Sequence, residues 1–149
     1  MTEHDDIFET GEIFQDRKLV RVGHVPDLNR VVGRDNETEL MGSALAPAIR
    51  GGPPETTIIY GKTGTGKSLV TRCVTREAKG RAAENDQQFA YAYVDCSDYG
   101  TEAQASRQMA RELQANLGDA VSDQSIPRRG IGAADYRDIT WELLAEGNV

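Results

Sequence analysis

Apolar side chains recur along this chain in short blocks of differing period, separated by glycine, proline and acidic clusters, and each block predicts an element. Leu40, Met41, Ala44, Leu45, Ala48 and Ile49 form a two-wide stripe repeating every four residues, the pattern of a helix with one face packed on a layer. Asp35 or Asn36 is placed to cap its start. Pro47 kinks or terminates it, and Arg50-Gly51-Gly52 finishes it. Thr56-Thr57-Ile58-Ile59-Tyr60 is β-branched and aromatic, is bounded by Gly51-Gly52-Pro53-Pro54, and reads as a buried strand. Leu69, Val70, Cys73, Val74 and Ala78 then fall on one helical face, with Arg72, Arg76, Glu77 and Lys79 around the rest and Gly80 as the stop.

Residues 81–88 read as a polar connection, and Phe89-Ala90-Tyr91-Ala92-Tyr93-Val94 alternates as a second strand ending at Asp95-Cys96. Ala105, Met109, Leu113 and Leu117 predict a helix over 101–117. A turn-rich tip over 122–132 holds Pro127, Arg128 and Arg129, and a final helix runs from about 133 to 146. That last helix has Tyr136, Ile139, Leu143 and Leu144 on its apolar face, which leaves Trp141 off it. At the other end, residues 1–12 are acidic and aperiodic and read as a flexible tail, with 13–149 as one domain. Pro26 restricts the residue before it, so His24-Val25-Pro26 is extended.

Between the first strand and its helix lies Gly61-Lys62-Thr63-Gly64-Thr65-Gly66-Lys67-Ser68, which satisfies every fixed position of the phosphate-binding pattern G-x-x-x-x-G-K-[ST]. Glycines let the backbone turn so that successive N–H groups face phosphate oxygens. Lys67 brings an ammonium to the β- and γ-phosphates, and Ser68 offers a hydroxyl to the Mg²⁺ that bridges them. The helix that begins there adds its positive N-terminal dipole. Strand, glycine loop and helix occur in the order such a site requires, so ATP or ADP with Mg²⁺ is the expected ligand. The extended segment around Pro26 is expected to lie across this site.

Composition narrows the setting. No run of 18 or more apolar residues occurs, so no membrane-spanning helix is predicted, and the acidic start has no apolar signal core. These features predict a cytoplasmic protein. Net charge is −7, yet the only lysines are Lys18, Lys62, Lys67 and Lys79 among 17 basic residues. An acidic, lysine-poor surface stays hydrated at high salt and points to an extreme halophile, the alternative being an acidic protein from a high-GC genome. The same charge argues against a broad duplex-binding face. Cys73 and Cys96 have no metal-ligand spacing and read as buried thiols.

Asp95, at the end of an apolar strand, is where a metal-binding aspartate of a nucleotide hydrolase would sit. Its neighbour Cys96 is no substitute for the glutamate that would orient water, so no catalytic residue is assigned within the chain. A small P-loop kinase or hydrolase using Asp95 remains an alternative. A non-catalytic truncated paralogue that modulates a full-length partner is another.

Taken together, the chain resembles the archaeal replication initiators related to origin recognition complex subunit one and cell division control protein six, which are AAA+ ATPases. The resemblance rests on Ile13-Phe14 with Asp16, Val25-Pro26, Gly33-Arg34-Asp35 with Glu39, Ala44-Leu45 with Pro47 and Gly51, the loop 59–68, Tyr93-Val94-Asp95-Cys96, and Ile126-Pro127 with Gly130. It implies an α/β fold: an incomplete P-loop NTPase three-layer sandwich around a parallel sheet, without the later strands, lid and winged-helix domain. The two strands here are not neighbours in that family's sheet. It further implies that Val25, Pro26 and Arg34 lie near the adenine. The helix pair over about 101–146 would be an initiator-specific insertion whose Arg128 and Arg129 meet phosphates of origin DNA. In a complete protein the partners would be origin DNA, other initiator copies or the replicative helicase.

Overall fold

A computed structural model describes residue 21 and residues 23–53 and 55–149. The tail over 1–12 and the Ile13-Phe14-Asp16 part of the family motif lie outside the described residues. Among the described residues four helices are formed: α1 (Asp35–Ile49), α2 (Lys67–Glu84), α3 (Glu102–Leu117) and α4 (Ala133–Glu146), with single 3₁₀ turns at Leu28–Arg30, Cys96–Asp98 and Gly118–Ala120. They pack as two pairs, α1 on α2 and α3 on α4.

The α3/α4 pair holds the main core. Ala110 and Leu113 of α3, Val121 and Ile126 of the connection, and Tyr136 and Leu143 of α4 are buried together, with Ala90 and Ala92 against them. Each helix start has a local cause. The Thr101 hydroxyl accepts from the Gln104 N–H at 3.3 Å, and the Asp135 carboxylate reaches back to accept from the Gly132 N–H at 2.6 Å. Both satisfy groups that a helix end leaves without partners. The two pairs are joined at one polar node: Lys79 Nζ of α2 donates to Asn116 O at 2.7 Å and Asn116 Oδ1 at 2.9 Å, and the same Oδ1 accepts from Tyr91 N at 3.2 Å.

Several expectations shift. The N-cap of α1 is Arg34, one residue before the expected Asp35, which instead joins Glu37 as a first-turn acid. Pro47 does end the helix within a turn: Arg50 N and Gly52 N both donate to its carbonyl, at 3.0 and 2.9 Å. Gly80 does not stop α2, which continues to Glu84. Gly80 faces open space and costs only about 1 kcal/mol of propensity, while Ala78 and Ala82 on the far side are buried. In α3 the buried face is Ser106, Ala110 and Leu113, so Met109 is turned outward, 43% exposed. Small residues at 106 and 110 allow close approach to α4, and that outweighs the larger side chain of Met109. Cys73 is buried as expected, but Cys96 is exposed, because it opens a 3₁₀ turn beyond residues 89–94.

The largest difference concerns the sheet. Residues 56–60 and 89–94 belong to no helix, and neither forms a ladder among the described residues, so the parallel sheet is absent there. Residues 56–60 are also exposed where a buried strand was expected, with Ile58 84% and Tyr60 90% accessible. The reason lies in how a sheet holds together: a strand needs a neighbour's N–H and C=O groups, and these two segments do not pair with one another.

Candidate functional site

Gly61-Lys62-Thr63-Gly64-Thr65-Gly66 loops from the exposed residues 56–60 into the first turn of α2. Gly64 and Gly66 take φ values of +80° and +83°, a left-handed conformation that a side chain would strain. Gly66 in that conformation is the N-cap of α2, and Val70 N donates to its carbonyl at 2.9 Å. The N–H groups of the preceding first-turn residues, Lys67, Ser68 and Leu69, have no carbonyl within the helix to reach. They emerge beside the loop, which makes an anion site with the helix dipole behind it.

Lys67 Nζ turns back over the loop and donates to Gly61 O at 2.8 Å and Lys62 O at 2.7 Å, while Thr65 Oγ1 donates to Lys62 O at 2.9 Å. The loop is therefore curled around its own ammonium. Ser68 is exposed on the first turn. Arg34, at the start of α1, braces the loop from outside: Nη2 donates to Thr65 O at 2.8 Å and Nη1 pairs with Glu37 Oε1 at 3.0 Å. Hydrogen bonding to a backbone N–H, and after it the pairing with Arg34, holds the Glu37 carboxyl below its ordinary range. A groove of about 550 Å³ opens next to the loop, walled by Leu40 and Met41 of α1 and by Ile58 and Tyr60.

The expected adenine residues divide. Arg34 contacts the loop, whereas Val25 and Pro26 lie on α2, where Arg76 Nη1 donates to Val25 O and Arg76 Nη2 to Pro26 O, both at 2.7 Å. Arg76 also pairs with Asp27 Oδ1 at 2.9 Å. Cys73 Sγ donates to Pro26 O at 3.2 Å, and Arg72 Nη2 to Gly23 O at 3.2 Å. Sequence reasoning placed these arginines off the apolar face of the helix and gave them no partner. The available signal was their spacing, one helical turn apart on the helix that follows the glycine loop.

Asp95 is exposed, and its carboxyl lies below the usual range because Ser97 Oγ (2.7 Å) and Ser97 N (3.0 Å) both donate to it. It serves as the cap of a 3₁₀ turn. Arg128 and Arg129 are exposed at the tip joining α3 to α4, next to Pro127, whose carbonyl accepts from Arg107 Nε and Tyr136 OH, each at 2.8 Å.

The model of the family described as "AAA ATPase domain" matches residues 30–144, which take in the glycine loop, α1 to α3 and most of α4. The chain belongs to that family. Its relatives include ORC1-type DNA replication protein 2 of Halobacterium salinarum, 38% identical over 141 residues, covering 94% of this chain and 52% of the relative. ORC1-type DNA replication protein 4 of the same organism is also 38% identical over 141 residues, covering 33% of its own length. The chain thus spans from about a third to about half of the length of these curated relatives. Among solved structures, the Aeropyrum pernix ORC1 protein in complex with DNA aligns with a TM-score of 0.70 and 26% identity over 88% of this chain and 31% of that one. The resemblance to archaeal replication initiators is therefore shown, and so is the AAA+ P-loop NTPase fold. Relatives from halophilic archaea accord with the acidic, lysine-poor composition.

Proposed function

We propose that residues 61–68 bind ATP or ADP with Mg²⁺, and that this AAA+ portion serves a DNA replication initiator. The observation that carries the reading is Lys67 folded over a left-handed glycine loop at the exposed N-terminus of α2. In binding, Lys67 Nζ exchanges the carbonyls of Gly61 and Lys62 for phosphate oxygens, and the first-turn N–H groups of α2 donate to the same anion. Ser68 Oγ would hold the magnesium, whose charge offsets that of the phosphates. Arg34 keeps the loop's shape through Thr65 O during the exchange.

Val25 and Pro26 are assigned to the base end of the nucleotide, and Arg34 to the loop. Residues 13–149 are read as the N-terminal portion of the ATPase domain, with the α3/α4 pair as the initiator-specific insertion and Arg128 and Arg129 contacting DNA phosphates, a role suited to arginine but silent on sequence. Origin DNA, further initiator copies and the replicative helicase are the partners of the complete protein, in the cytoplasm. Among the described residues no helix is long and apolar enough to cross a membrane. The Asp95-based kinase or hydrolase reading is disfavoured, because both Ser97 donors engage that carboxylate.

The test is calorimetric titration of ATP with Mg²⁺ into the chain and its Lys67→Ala variant. Loss of an ammonium serving two phosphates should weaken binding by about 100-fold, the scale of two charged hydrogen bonds. Equal affinity in both would remove the reading.

A further inference from the structure

The glycine loop accounts for the N-terminus of α2 but not for what α2 does two to three turns later. There Arg76 commits its guanidinium to main chain, reaching the consecutive carbonyls of Val25 and Pro26 at 2.7 Å each and the Asp27 carboxylate at 2.9 Å. Pro26 has no N–H, so at this point the segment can be held only through its carbonyls. Two adjacent carbonyls suit the fixed fork of a guanidinium and do not suit the point charge of a lysine. The same carbonyl of Pro26 takes the Cys73 thiol, and Arg72 adds Gly23 O while lying 4.8 Å from the centre of the Tyr93 ring. Burial pushes the Cys73 thiol up, against the pull of Arg76 and Arg72, so it stays a protonated donor. At 1.5 Å per residue, Arg72 and Arg76 stand about 8 and 14 Å along the axis from Lys67. Phosphate loop and clamped segment thus meet the same helix, one at its first turn and the other two to three turns on.

We propose that Arg76 is a positioning residue that holds segment 23–27 as the wall for the nucleobase, so that α2 sets both the phosphate end and the base selectivity of the site. The proposal rests on the nucleotide-binding reading above. It predicts that Arg76 contributes to affinity only through the base. Affinities for MgATP and for inorganic tripolyphosphate would be measured on the full chain, on Arg76→Met and on Arg76→Lys, with helix content checked by circular dichroism. Expected is a roughly tenfold weaker ATP in Arg76→Met, tripolyphosphate unchanged within about twofold, and an intermediate ratio in Arg76→Lys, since Arg76 acts on the base only through the segment it holds and so contributes less than an ammonium that meets phosphate directly. Should Arg76→Met fail to fold, Arg76→Lys carries the test through the same ratio. An unchanged ratio of ATP to tripolyphosphate affinity in the folded variants overturns the positioning role while leaving the nucleotide site intact. Wild-type chain that binds neither ligand, or binds both independently of Lys67, overturns the site and this role with it.

Discussion

Replacing Lys79 by Met tests whether one polar node makes the two helix pairs a single cooperative unit. Methionine keeps much of the aliphatic stem and removes the ammonium that donates to Asn116 O at 2.7 Å and Asn116 Oδ1 at 2.9 Å. Hydrogen bonds from a charged donor are worth about 1.5–3 kcal/mol each, but Lys79 is only half-buried, so the lower end applies. Asn116 Oδ1 keeps Tyr91 N at 3.2 Å and is not orphaned. Asn116 O belongs to the last turn of α3, where carbonyls lack helical partners and a cation gains a further 0.3–1 kcal/mol or so from the dipole. The expected loss is therefore about 3 kcal/mol. Urea unfolding at low salt should show it as a lower midpoint, with a smaller m-value if α1/α2 and α3/α4 begin to unfold separately. Hydrogen exchange should rise first in 89–94 and at the end of α3. A double-mutant cycle with Asn116→Ala should return a coupling of about 1 kcal/mol or more. A loss below about 0.5 kcal/mol together with zero coupling would refute the node as a joint.

Leu143→Ala removes a side chain with no solvent exposure from the cluster of Ala110, Leu113, Val121, Ile126 and Tyr136. It should cost about 2–5 kcal/mol in chemical denaturation. A cost under about 1 kcal/mol would mean that this cluster is not the core. Thiol reagent added to the native chain at pH 8 should titrate Cys96 quickly and Cys73 only after denaturation, because burial raises the Cys73 thiol and the thiolate is the reacting form. Two equally fast thiols would contradict the packing of α2 on segment 23–27.

Legibility followed the kind of signal each element carries. The glycine loop was readable because its chemistry restricts residue types at fixed spacing. The face of α4 was readable because Tyr136 and Leu143 are large and periodic. The extension of α2 past Gly80 and the rotated face of α3 escaped notice because Ala82, Ser106 and Ala110 pack through their smallness, and hydrophobic period weighs small residues lightly. Arg72, Arg76 and Lys79 look like ordinary surface charges, since their partners are backbone carbonyls and an amide 37 to 51 residues away. Residues 56–60 and 89–94 had the right composition for strands, yet a ladder is a property of two segments and no single one can specify it.

The bare stretch 56–60 gives salt two opposing effects on this molecule. Buffer of about 0.1 M ionic strength leaves seven surplus negative charges per chain acting over roughly 10 Å, and copies repel. Molar salt contracts that reach to about 3 Å, and salting-out ions strengthen apolar contact. Glu55 is the nearest charge, and the five residues after it carry none, with open backbone groups on a run that includes Ile58 and Tyr60. The brine that keeps an acidic surface hydrated thus also removes the repulsion that keeps this run from meeting its twin, and chaining edge to edge becomes the hazard of the saline state.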